Sequence, residues 1–359
     1  MMQKRKIKVI IVDDSAVIRA LLTEIFNEDG RFEVCASATD PYEARELIKQ
    51  LNPDVLTLDI EMPKMNGITF LKNLMRLRPM PVVMISTLTQ EGAPATLQAL
   101  ELGAVDFIPK PKNDSIRDYQ EDICAKVYAA ARANLFGFDA LSVRKAALPK
   151  IAASGAPGRR GFLAVIGAST GGTEAIKQVV SMMPKNCPPI LVTQHIPESF
   201  SASFARRVNE LSAPNVVEAA EGQEILPGNV YIAPGSQHLR VRIRQQQFYC
   251  SLGSDERINR HRPSVEALFD SVREAVGANC CAALLTGMGA DGSHALLRLR
   301  EAGAMTIAQD QNSSVVWGMP GVAVNLGAAM HIVDIGAVAD LIIQDYFKKE
   351  PKAGSKKNH

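Results

Sequence analysis

The stretch Ile-Lys-Val-Ile-Ile-Val-Asp-Asp-Ser (residues 7–15) decides the fold class of the first third of this 359-residue chain. Its apolar part has the length of one buried strand, since strands of about 4–8 residues are typical and helices need more. It ends in two carboxylates and a serine, and helical spacing follows at once over 16–26. A buried strand that leads directly into a helix is one βα unit, the building block of a parallel sheet covered by helices.

The same unit recurs along the N-terminal third. Four further strand-like runs each end in a polar or glycine-rich turn, and they lie at 33–37, 54–58, 82–85 and 105–108. Helical patterns separate or follow them at 41–50, 67–77, 93–101 and 114–133. Five such units predict a doubly wound, five-stranded parallel sheet with helices on both faces.

A second α/β domain is predicted after a change in composition. Residues 140–160 contain five basic residues, no acidic residue and the run Ala-Ala-Ser-Gly-Ala-Pro-Gly. This composition is typical of a mobile linker, and a surface loop of one larger domain is the alternative. Strand-like runs then resume at 162–166, 190–193, 281–286 and 305–308. The turn-rich sequence between 214 and 250 predicts an antiparallel hairpin insert in a mostly parallel sheet.

Length and composition limit the kind of protein. At about 100–200 residues per domain the chain holds two or three domains, and its 47% hydrophobic and 22% charged residues are typical of globular proteins. A net charge of +2 gives no reason to expect a nucleic acid partner. No apolar run reaches the roughly 20 residues of a membrane helix, and the first is too short for a signal peptide. The six cysteines include no Cys-x-x-Cys pair.

These observations lead to a set of domain boundaries and a location. We expect a first domain over 7–125, a linker over 126–160 that begins as helix, and a second domain over 161–347. The basic tail over 348–359 is expected to be disordered. We expect a cytoplasmic protein with no nucleic acid partner and no direct membrane insertion.

Polar side chains stand at the ends of several strands of the first predicted sheet. Asp13 and Asp14 follow the first strand, and Asp59 follows the third. Ser86 follows the fourth strand and Lys110 the fifth. Three carboxylates at one sheet edge repel each other unless a hard cation such as Mg²⁺ lies among them. A carboxylate can also accept a phosphoryl group, whose charge a lysine would neutralise. For any single aspartate the alternative is that it caps a helix N-terminus.

The first domain resembles the response-regulator receiver domain, which has a flavodoxin-like fold. The matching motifs are Val-Asp-Asp-Ser (12–15), Leu-Asp-Ile-Glu-Met-Pro (58–63), Asn-Gly (66–67) and Phe-Ile-Pro-Lys-Pro (107–111). The resemblance implies that Asp59 is the phosphoryl acceptor and that Asp13, Asp14 and Asp59 bind Mg²⁺. It also implies Ser86 as the switch hydroxyl, Lys110 as the phosphate partner and a sensor histidine kinase as the phosphodonor.

A serine on a glycine-flanked turn begins the second site. In Gly-Ala-Ser-Thr-Gly-Gly (167–172) a strand runs straight into a turn, and a helical pattern follows. A serine needs a base and an orienting carboxylate to act as a nucleophile at neutral pH. His195 and Asp291 follow two other strands of the same predicted sheet, so we predict a triad of Ser169, His195 and Asp291. Their order along the chain differs from that of α/β-hydrolases.

Other residues compete for these roles. His238 in the hairpin insert and His261 before a helix are the alternative bases. We expect His238 to lie on the surface and His261 to pack or to anchor a loop. Asp310, at the end of another strand, is the alternative orienter. Backbone N–H groups near Thr170 and Met288 are the expected oxyanion donors.

The second domain resembles the catalytic domain of the chemotaxis protein-glutamate methylesterases, the CheB family. The matching motifs are Gly-Ala-Ser-Thr-Gly-Gly-Thr-Glu (167–174), Gln-His-Ile-Pro (194–197), Tyr-Ile-Ala-Pro-Gly (231–235), His-Arg-Pro-Ser-Val (261–265), Leu-Thr-Gly-Met-Gly-Ala-Asp-Gly (285–292) and Gly-Met-Pro (318–320). The chain departs from the family at Gly321 and Val322, where many members have Arg-Glu.

The resemblance implies a carboxylic ester hydrolase that demethylates glutamate γ-methyl esters on cytoplasmic helices of chemoreceptors and deamidates specific receptor glutamines. It implies no cofactor in the esterase domain. With a receiver in front, it implies activation by phosphorylation, with the unphosphorylated receiver covering Ser169. Arg206 and Arg207 are candidate docking charges for the substrate, or a solvated helix face.

One alternative function is a receiver-controlled esterase for another protein or a small-molecule ester. Another is a regulator with a DNA-binding or adaptor output, against which the long second α/β domain argues.

Overall fold

The computed structural model describes residues 5–86, 89, 91–110, 116–135, 155 and 157–348, and for residues 116–119 it describes the backbone only. More than half of the predicted linker and all but the first residue of the predicted tail lie outside these residues. Within the described part of the chain, no helix is both long and apolar enough to cross a membrane.

The N-terminal domain is a parallel sheet with helices on both faces. Its strands are β1 (Ile7–Val12), β2 (Phe32–Ala38), β3 (Val55–Asp59), β4 (Val82–Ser86) and β5 (Asp106–Pro109). Its helices are α1 (Ala16–Glu28), α2 (Pro41–Leu51), α3 (Gly67–Leu77), α4 (Ala93–Glu101) and α5 (Ile116–Ala130). The strand order is β2-β1-β3-β4-β5, which is the doubly wound sheet that the sequence predicts.

Local signals explain where these helices begin. Ser15, Asp40 and Asn66 are the N-caps of α1, α2 and α3, and each side-chain oxygen accepts a hydrogen bond from a backbone N–H of the first turn. Pro41 fits the first position of α2, because a proline lacks the N–H that would have no partner there. Strand β3 is buried along its whole length, since helices cover both faces of the sheet.

The C-terminal domain is built on a second, larger sheet. Its strands are β6 (Leu163–Ala168), β7 (Ile190–Gln194), β8 (Asn215–Glu218), β9 (Asn229–Ile232), β12 (Cys280–Leu284), β13 (Met305–Gln309) and β14 (His331–Val333). A separate pair is formed by β10 (His238–Arg244) and β11 (Gln247–Gly253). The helices are α6 (Gly172–Met182), α7 (Glu198–Leu211), α8 (Val265–Val276), α9 (Ser293–Glu301), α10 (Met319–Asn325) and α11 (Ile335–Tyr346). The order in the large sheet is β14-β13-β12-β6-β7-β9-β8, and each of these pairs is parallel.

The region between 214 and 250 contains one hairpin and one parallel pair. Strands β10 and β11 form the predicted antiparallel hairpin, whereas β8 and β9 are parallel neighbours in the main sheet. The connection between β8 and β9 runs back along β11, where the N–H groups of Gly222 and Ile225 donate to Cys250 and Phe248 carbonyls at 2.9 Å each. The Leu-Pro-Gly-Asn sequence before β9 therefore ends a crossover connection.

The two domains share an apolar core. Phe107 of β5 stacks on Phe200 of α7, with ring centroids 4.8 Å apart. Leu97 and Leu100 of α4 and Phe204 of α7 are buried in the same cluster. Removing this apolar surface from water holds α4 and β5 of the first domain against the second domain.

Candidate active site and phosphorylation site

The carboxyl ends of β1, β3 and β5 bring most of the predicted phosphorylation residues together. Ligand oxygens of Asp13, Asp14 and Asp59 lie within 4.8 Å of one another. The Lys110 ammonium lies 2.7 Å from Asp59 Oδ2 and 3.7 Å from Asp13 Oδ2. A carboxylate able to accept a phosphoryl group thus already has a cation beside it.

Three carboxylates and one lysine leave this edge with an excess of negative charge. Burial, to which the Asp13 charge adds, raises the pKa of Asp59 to about 6 despite the hydrogen bond from Lys110. Burial also raises the pKa of Asp13, whose Oδ2 atom is buried without a hydrogen bond. A divalent cation would offset the excess negative charge and give Asp13 Oδ2 a partner, and Mg²⁺ prefers oxygen ligands. The residues therefore fit Mg²⁺, and Asp13, Asp14 and Asp59 would hold it.

Ser86, the predicted switch hydroxyl, is joined to helix α4. Its Oγ lies 2.8 Å from Thr96 Oγ1 in that helix. The Thr96 hydroxyl also lies 3.2 Å from the Gly92 carbonyl, one turn earlier. Ser86 therefore directly contacts α4, which ends at Glu101 on the side of the second domain. A change in the position of the Ser86 hydroxyl would act on this helix.

The serine turn of the second domain is fixed on both sides. Ser169 follows β6, and its backbone N–H donates to the Thr286 carbonyl at 3.0 Å. Gly171 has a φ of 76°, a left-handed conformation that glycine adopts without strain. A side chain at Gly167 would overlap Val265 of α8. The glycines thus allow a tight turn in a crowded place, and the turn presents the serine hydroxyl.

The structure brings the three predicted triad residues together at the ends of β6, β7 and the loop after β12. His195 Nδ1 lies 3.1 Å from Ser169 Oγ, and His195 Nε2 lies 2.9 Å from Asp291 Oδ2. In the neutral imidazole that satisfies both contacts, Nε2–H donates to the carboxylate and Nδ1 accepts the serine O–H. Nδ1 is then in place to take the serine proton, which is the arrangement that nucleophilic catalysis needs.

Asp291 is a buried anion held by several donors. It is 2% exposed, and it accepts hydrogen bonds from Asn259 Nδ2 and Ser264 Oγ at 2.8 Å and from the Val265 N–H at 2.7 Å. Burial alone would raise the pKa of Asp291, but the hydrogen bonds from His195, Asn259 and Ser264 hold it well below its usual range. The N-terminus of α8, which begins here, also favours negative charge. The carboxylate is therefore ionised and fixes the imidazole.

His261 stacks on the imidazole of His195. The ring centroids of His261 and His195 are 3.7 Å apart, with 15° between the planes. Burial, to which the His195 charge adds, lowers the pKa of His261 to about 3, so this ring stays neutral. Asp310, the alternative orienter, instead accepts hydrogen bonds from the Ser313 N–H and hydroxyl at 2.9 and 2.6 Å.

The expectation that His238 lies on the surface is wrong. Its side chain is fully buried, because β10 packs against α8. Its Nε2–H donates to the Glu256 carbonyl at 3.0 Å, and its Nδ1 accepts the Ser264 N–H at 3.2 Å. Both ring nitrogens are used in holding the chain that leads to Ser264, so His238 supports the donors of Asp291.

The predicted oxyanion donors lie on loops that other groups hold in place. Met288 follows Gly287, whose carbonyl accepts two N–H groups from the start of α10 at 3.1 and 2.8 Å. Thr170 follows Ser169, and its hydroxyl donates to Asp106 Oδ2 at 2.5 Å. The N–H of Ser169 itself already has a carbonyl partner. The N–H groups of Thr170 and Met288 stay the predicted donors.

Acidic residues of the first domain contact the second domain beside the triad. Asp106, the partner of Thr170, lies at the start of β5. Glu101 at the end of α4 accepts hydrogen bonds from Lys177 Nζ at 2.6 Å and Arg207 Nε at 2.8 Å. Burial opposes ionisation, yet the hydrogen bonds from Arg207 and Lys177 hold the pKa of Glu101 at about 2. Arg207, a candidate docking charge for the substrate, is therefore paired across the domain interface.

Sequence reasoning missed Glu101, Asp106 and Asn259. The two acids carry no local signal, because their roles depend on how the domains pack. Asn259 does carry one, since asparagine tolerates the left-handed backbone of tight turns, and its φ is 52°. Arg206, the other candidate docking charge, is exposed, and its Nη2 lies 3.5 Å from Ser203 Oγ.

Comparison with known proteins covers both halves of the chain. A family model described as response regulator receiver domain matches residues 9–119, and one described as CheB methylesterase matches residues 164–342. A protein-glutamate methylesterase/protein-glutamine glutaminase from Saccharophagus degradans is 57% identical over 347 residues, which are 96% of this chain and 100% of that protein. One from Xanthomonas euvesicatoria pv. vesicatoria is 50% identical over 345 residues, which are 94% of this chain and 96% of that protein.

A solved structure is similar to the second domain. The crystal structure of the Thermotoga maritima CheB methylesterase catalytic domain aligns with a TM-score of 0.51 and 35% sequence identity, and the match covers 52% of this chain and 99% of that chain. The two curated relatives align along almost the whole chain, receiver and catalytic domain alike. The chain therefore belongs to the CheB family of methylesterases and carries a response-regulator receiver domain in front of its catalytic domain.

Proposed function

We propose that this chain is a phosphorylation-activated enzyme that hydrolyses glutamate γ-methyl esters on chemoreceptors and deamidates specific receptor glutamines. The observation that carries the proposal is the chain of contacts from Ser169 through His195 to Asp291, at 3.1 and 2.9 Å. The relatives are named protein-glutamate methylesterase/protein-glutamine glutaminase, and this supports the proposed substrate. The enzyme would act in the cytoplasm on receptor helices, with a sensor histidine kinase as phosphodonor.

The triad geometry supports an acyl-enzyme mechanism. His195 Nδ1 takes the proton of Ser169 as the serine oxygen attacks the ester carbonyl carbon. The N–H groups of Thr170 and Met288 would stabilise the oxyanion that forms. The imidazolium, held by Asp291, returns the proton to the leaving methoxy oxygen, and methanol departs. Water then attacks the acyl-enzyme with His195 as base again, the bond to Ser169 Oγ breaks, the imidazolium returns its proton to that oxygen, and the substrate carboxylate is released. With a glutamine side chain, ammonia leaves in place of methanol.

The receiver would inhibit this chemistry by covering the site. The Asp106–Thr170 hydrogen bond occupies the residue next to the nucleophile, and the stacked Phe107–Phe200 pair anchors β5 beside it. Because both domains belong to one chain, the receiver is present at an effective concentration in the millimolar range. Even a modest interface therefore maintains the closed state.

Phosphorylation of Asp59 would weaken this interface through two elements. Lys110, beside Asp59, follows directly on β5, the strand that starts at Asp106. Ser86 contacts α4, the helix that ends at Glu101. A phosphoryl group adds about 1.5–2 negative charges that Lys110 and Ser86 would contact. Bound Mg²⁺ would supply positive charge that offsets the carboxylates and the incoming phosphate.

Methanol release tests the proposal. The substrate is the methylated cytoplasmic fragment of a chemoreceptor, and the chain is assayed with and without acetyl phosphate and Mg²⁺. We expect phosphodonor to raise the rate of the wild type at least tenfold, Asp59→Asn to stay at the unstimulated rate, and Ser169→Ala to release no methanol. A wild type that hydrolyses p-nitrophenyl acetate but leaves the receptor fragment untouched would favour a small-molecule ester or another protein as the substrate.

A further inference from the structure

We infer that Arg260, at the tip of a tight turn beside the triad, binds a carboxylate on the surface of the protein substrate. In the closed state the receiver residue Glu121 occupies this arginine in place of the substrate. The inference rests on the proposed function and adds to it a residue that recognises the substrate.

Arg260 is displayed by a turn that is fastened to the active site. The residues on either side of the pair Asn259–Arg260 exchange two backbone hydrogen bonds, at 3.1 and 2.9 Å, so this pair forms the centre of a two-residue turn. Asn259 Nδ2 donates to Asp291 at 2.8 Å. The next residue after the pair is His261, whose ring stacks on His195. Both neighbours of Arg260 in sequence therefore touch the triad.

The residue type at position 260 is unexpected for its backbone. Two-residue turns with positive φ at both centres favour Asn-Gly, since glycine enters the left-handed region without strain. Asn259 and Arg260 have φ of 52° and 70°. Asparagine fits the first centre, whereas arginine at the second carries a strain that glycine would remove. The backbone conformation therefore does not favour arginine at position 260. We infer that arginine is present because of what its side chain binds.

The side chain of Arg260 points to a carboxylate on a helix. Its Nη1 lies 2.7 Å from Oε2 of Glu121 in α5, and the two side chains are 84% and 80% exposed. An ion pair this exposed contributes little to stability, and the closed interface is already held by Phe107 and Glu101. The pair does show that a helix lying across the site can bring a glutamate carboxylate to this guanidinium, which is suited to carboxylates.

The partner that fits is an acidic helix on the substrate protein. Every methyl ester that the enzyme hydrolyses leaves a glutamate carboxylate on the same protein, so a substrate with several modified glutamates carries carboxylates beside the remaining esters. A carboxylate bound to Arg260 would place a neighbouring ester near Ser169. When the receiver leaves, Glu121 leaves with it, so opening of the site also frees its docking charge.

Kinetics of the phosphorylated full-length chain test this inference. The measured quantity is kcat/KM for methanol release from the methylated receptor fragment divided by kcat/KM for p-nitrophenyl acetate. We expect Arg260→Gln to lower this ratio about tenfold, mainly by raising KM for the fragment, and the loss to shrink in high salt because salt screens exposed charges. Arg260→Asn, which tolerates the same backbone, should give the same loss without lowering the thermal midpoint, so that misfolding is distinguished from lost recognition.

Two control variants separate recognition from net charge. Glu121→Gln removes the same ion pair but leaves Arg260 in place, so the ratio should stay within twofold of wild type. Arg242→Gln removes one positive charge from the exposed hairpin, where Arg242 lies 4.0 Å from Glu221, and should also leave the ratio within twofold. An unchanged ratio in Arg260→Gln, or an equal loss in Arg242→Gln, overturns the inference. If the wild type itself releases no methanol from the fragment, the proposed function fails first, and the inference fails with it.

Discussion

Replacing Glu101 by glutamine should activate the unphosphorylated chain. The Glu101 side chain is 19% exposed and pairs with Lys177, which is 9% exposed, and with Arg207, which is 34% exposed. Glutamine keeps the size of the side chain but removes the charge that these two cations of the other domain need. Lys177 also pairs with Glu174 of its own domain at 2.5 Å. It therefore keeps one partner in the open state, and only part of the interaction favours closure.

The pKa of Glu101 gives the order of magnitude. A fall from 4.5 to about 2 corresponds to about 3 kcal/mol, at about 1.4 kcal/mol per pKa unit. Because Arg207 is partly exposed and Lys177 keeps Glu174, we assign about 2 kcal/mol of this to the closed interface. That amount changes the closed-to-open ratio about thirtyfold. The lowered pKa means that this contribution is fully present above about pH 4.5 and is lost only as the pH falls towards 2. The activation should therefore be the same across the neutral pH range.

Methanol release from the methylated receptor fragment measures the effect. The unphosphorylated Glu101→Gln chain should be about 10–30-fold faster than the unphosphorylated wild type, and acetyl phosphate should stimulate it correspondingly less. Glu46→Gln is the matched control, since Glu46 is 53% exposed in α2 and pairs with Arg45 and Lys49 of the same helix. It should leave both rates unchanged. The reasoning is refuted if Glu101→Gln is as slow as wild type without phosphodonor, or if the variant raises phosphorylated and unphosphorylated rates by the same factor.

Substitutions at three further positions test the two sites. Asp59→Asn should raise the thermal midpoint without Mg²⁺, because the raised pKa of about 6 means that the ionised carboxylate opposes folding at pH 7 by up to about 3 kcal/mol, a penalty that fades as the pH falls below 6. In calorimetry, Mg²⁺ should stabilise the wild type and not this variant. Asp291→Asn should lower kcat by about 10³–10⁴-fold with little change in KM, since the imidazole loses its orienting charge, and a loss under tenfold in single-turnover assays would contradict the triad. His261→Phe should keep kcat within about threefold because a neutral ring still stacks on His195, whereas His261→Ala should lose about tenfold; equal losses would show that stacking is not its role.

Much of the fold could be predicted because its signals are local. Helix α3 has the predicted bounds 67–77, since its apolar spacing and its Asn66 cap are both visible in the sequence. The β8–β9 pair was harder, because Leu-Pro-Gly-Asn is compatible with a hairpin turn and with the end of a crossover. Strand direction there is decided by contacts with β11, which lie in another part of the chain.

The same distinction between local signals and long-range packing applies to the residues of the two sites. The residues at strand ends could be predicted, because parallel strands bring their carboxyl ends to one edge, and the structure places Ser169 beside His195 for that reason. The burial of His238 could not, since it depends on β10 packing against α8. The pairing of Glu101 with Arg207 depends on how the two domains pack against each other, which no short stretch of the sequence determines.

Strand β5 imposes a limit on how this chain can evolve. Asp106 at its start touches the esterase domain, and Lys110, the residue after its end, touches Asp59. At about 3.3 Å per residue, only about 13 Å of backbone separates the two contacts. Insertions in the long segment between the domains change only its reach, but a single residue added or deleted between 106 and 110 would turn one of these side chains to the opposite face of the sheet. Relatives should therefore vary freely in linker length while keeping the spacing of these two positions fixed.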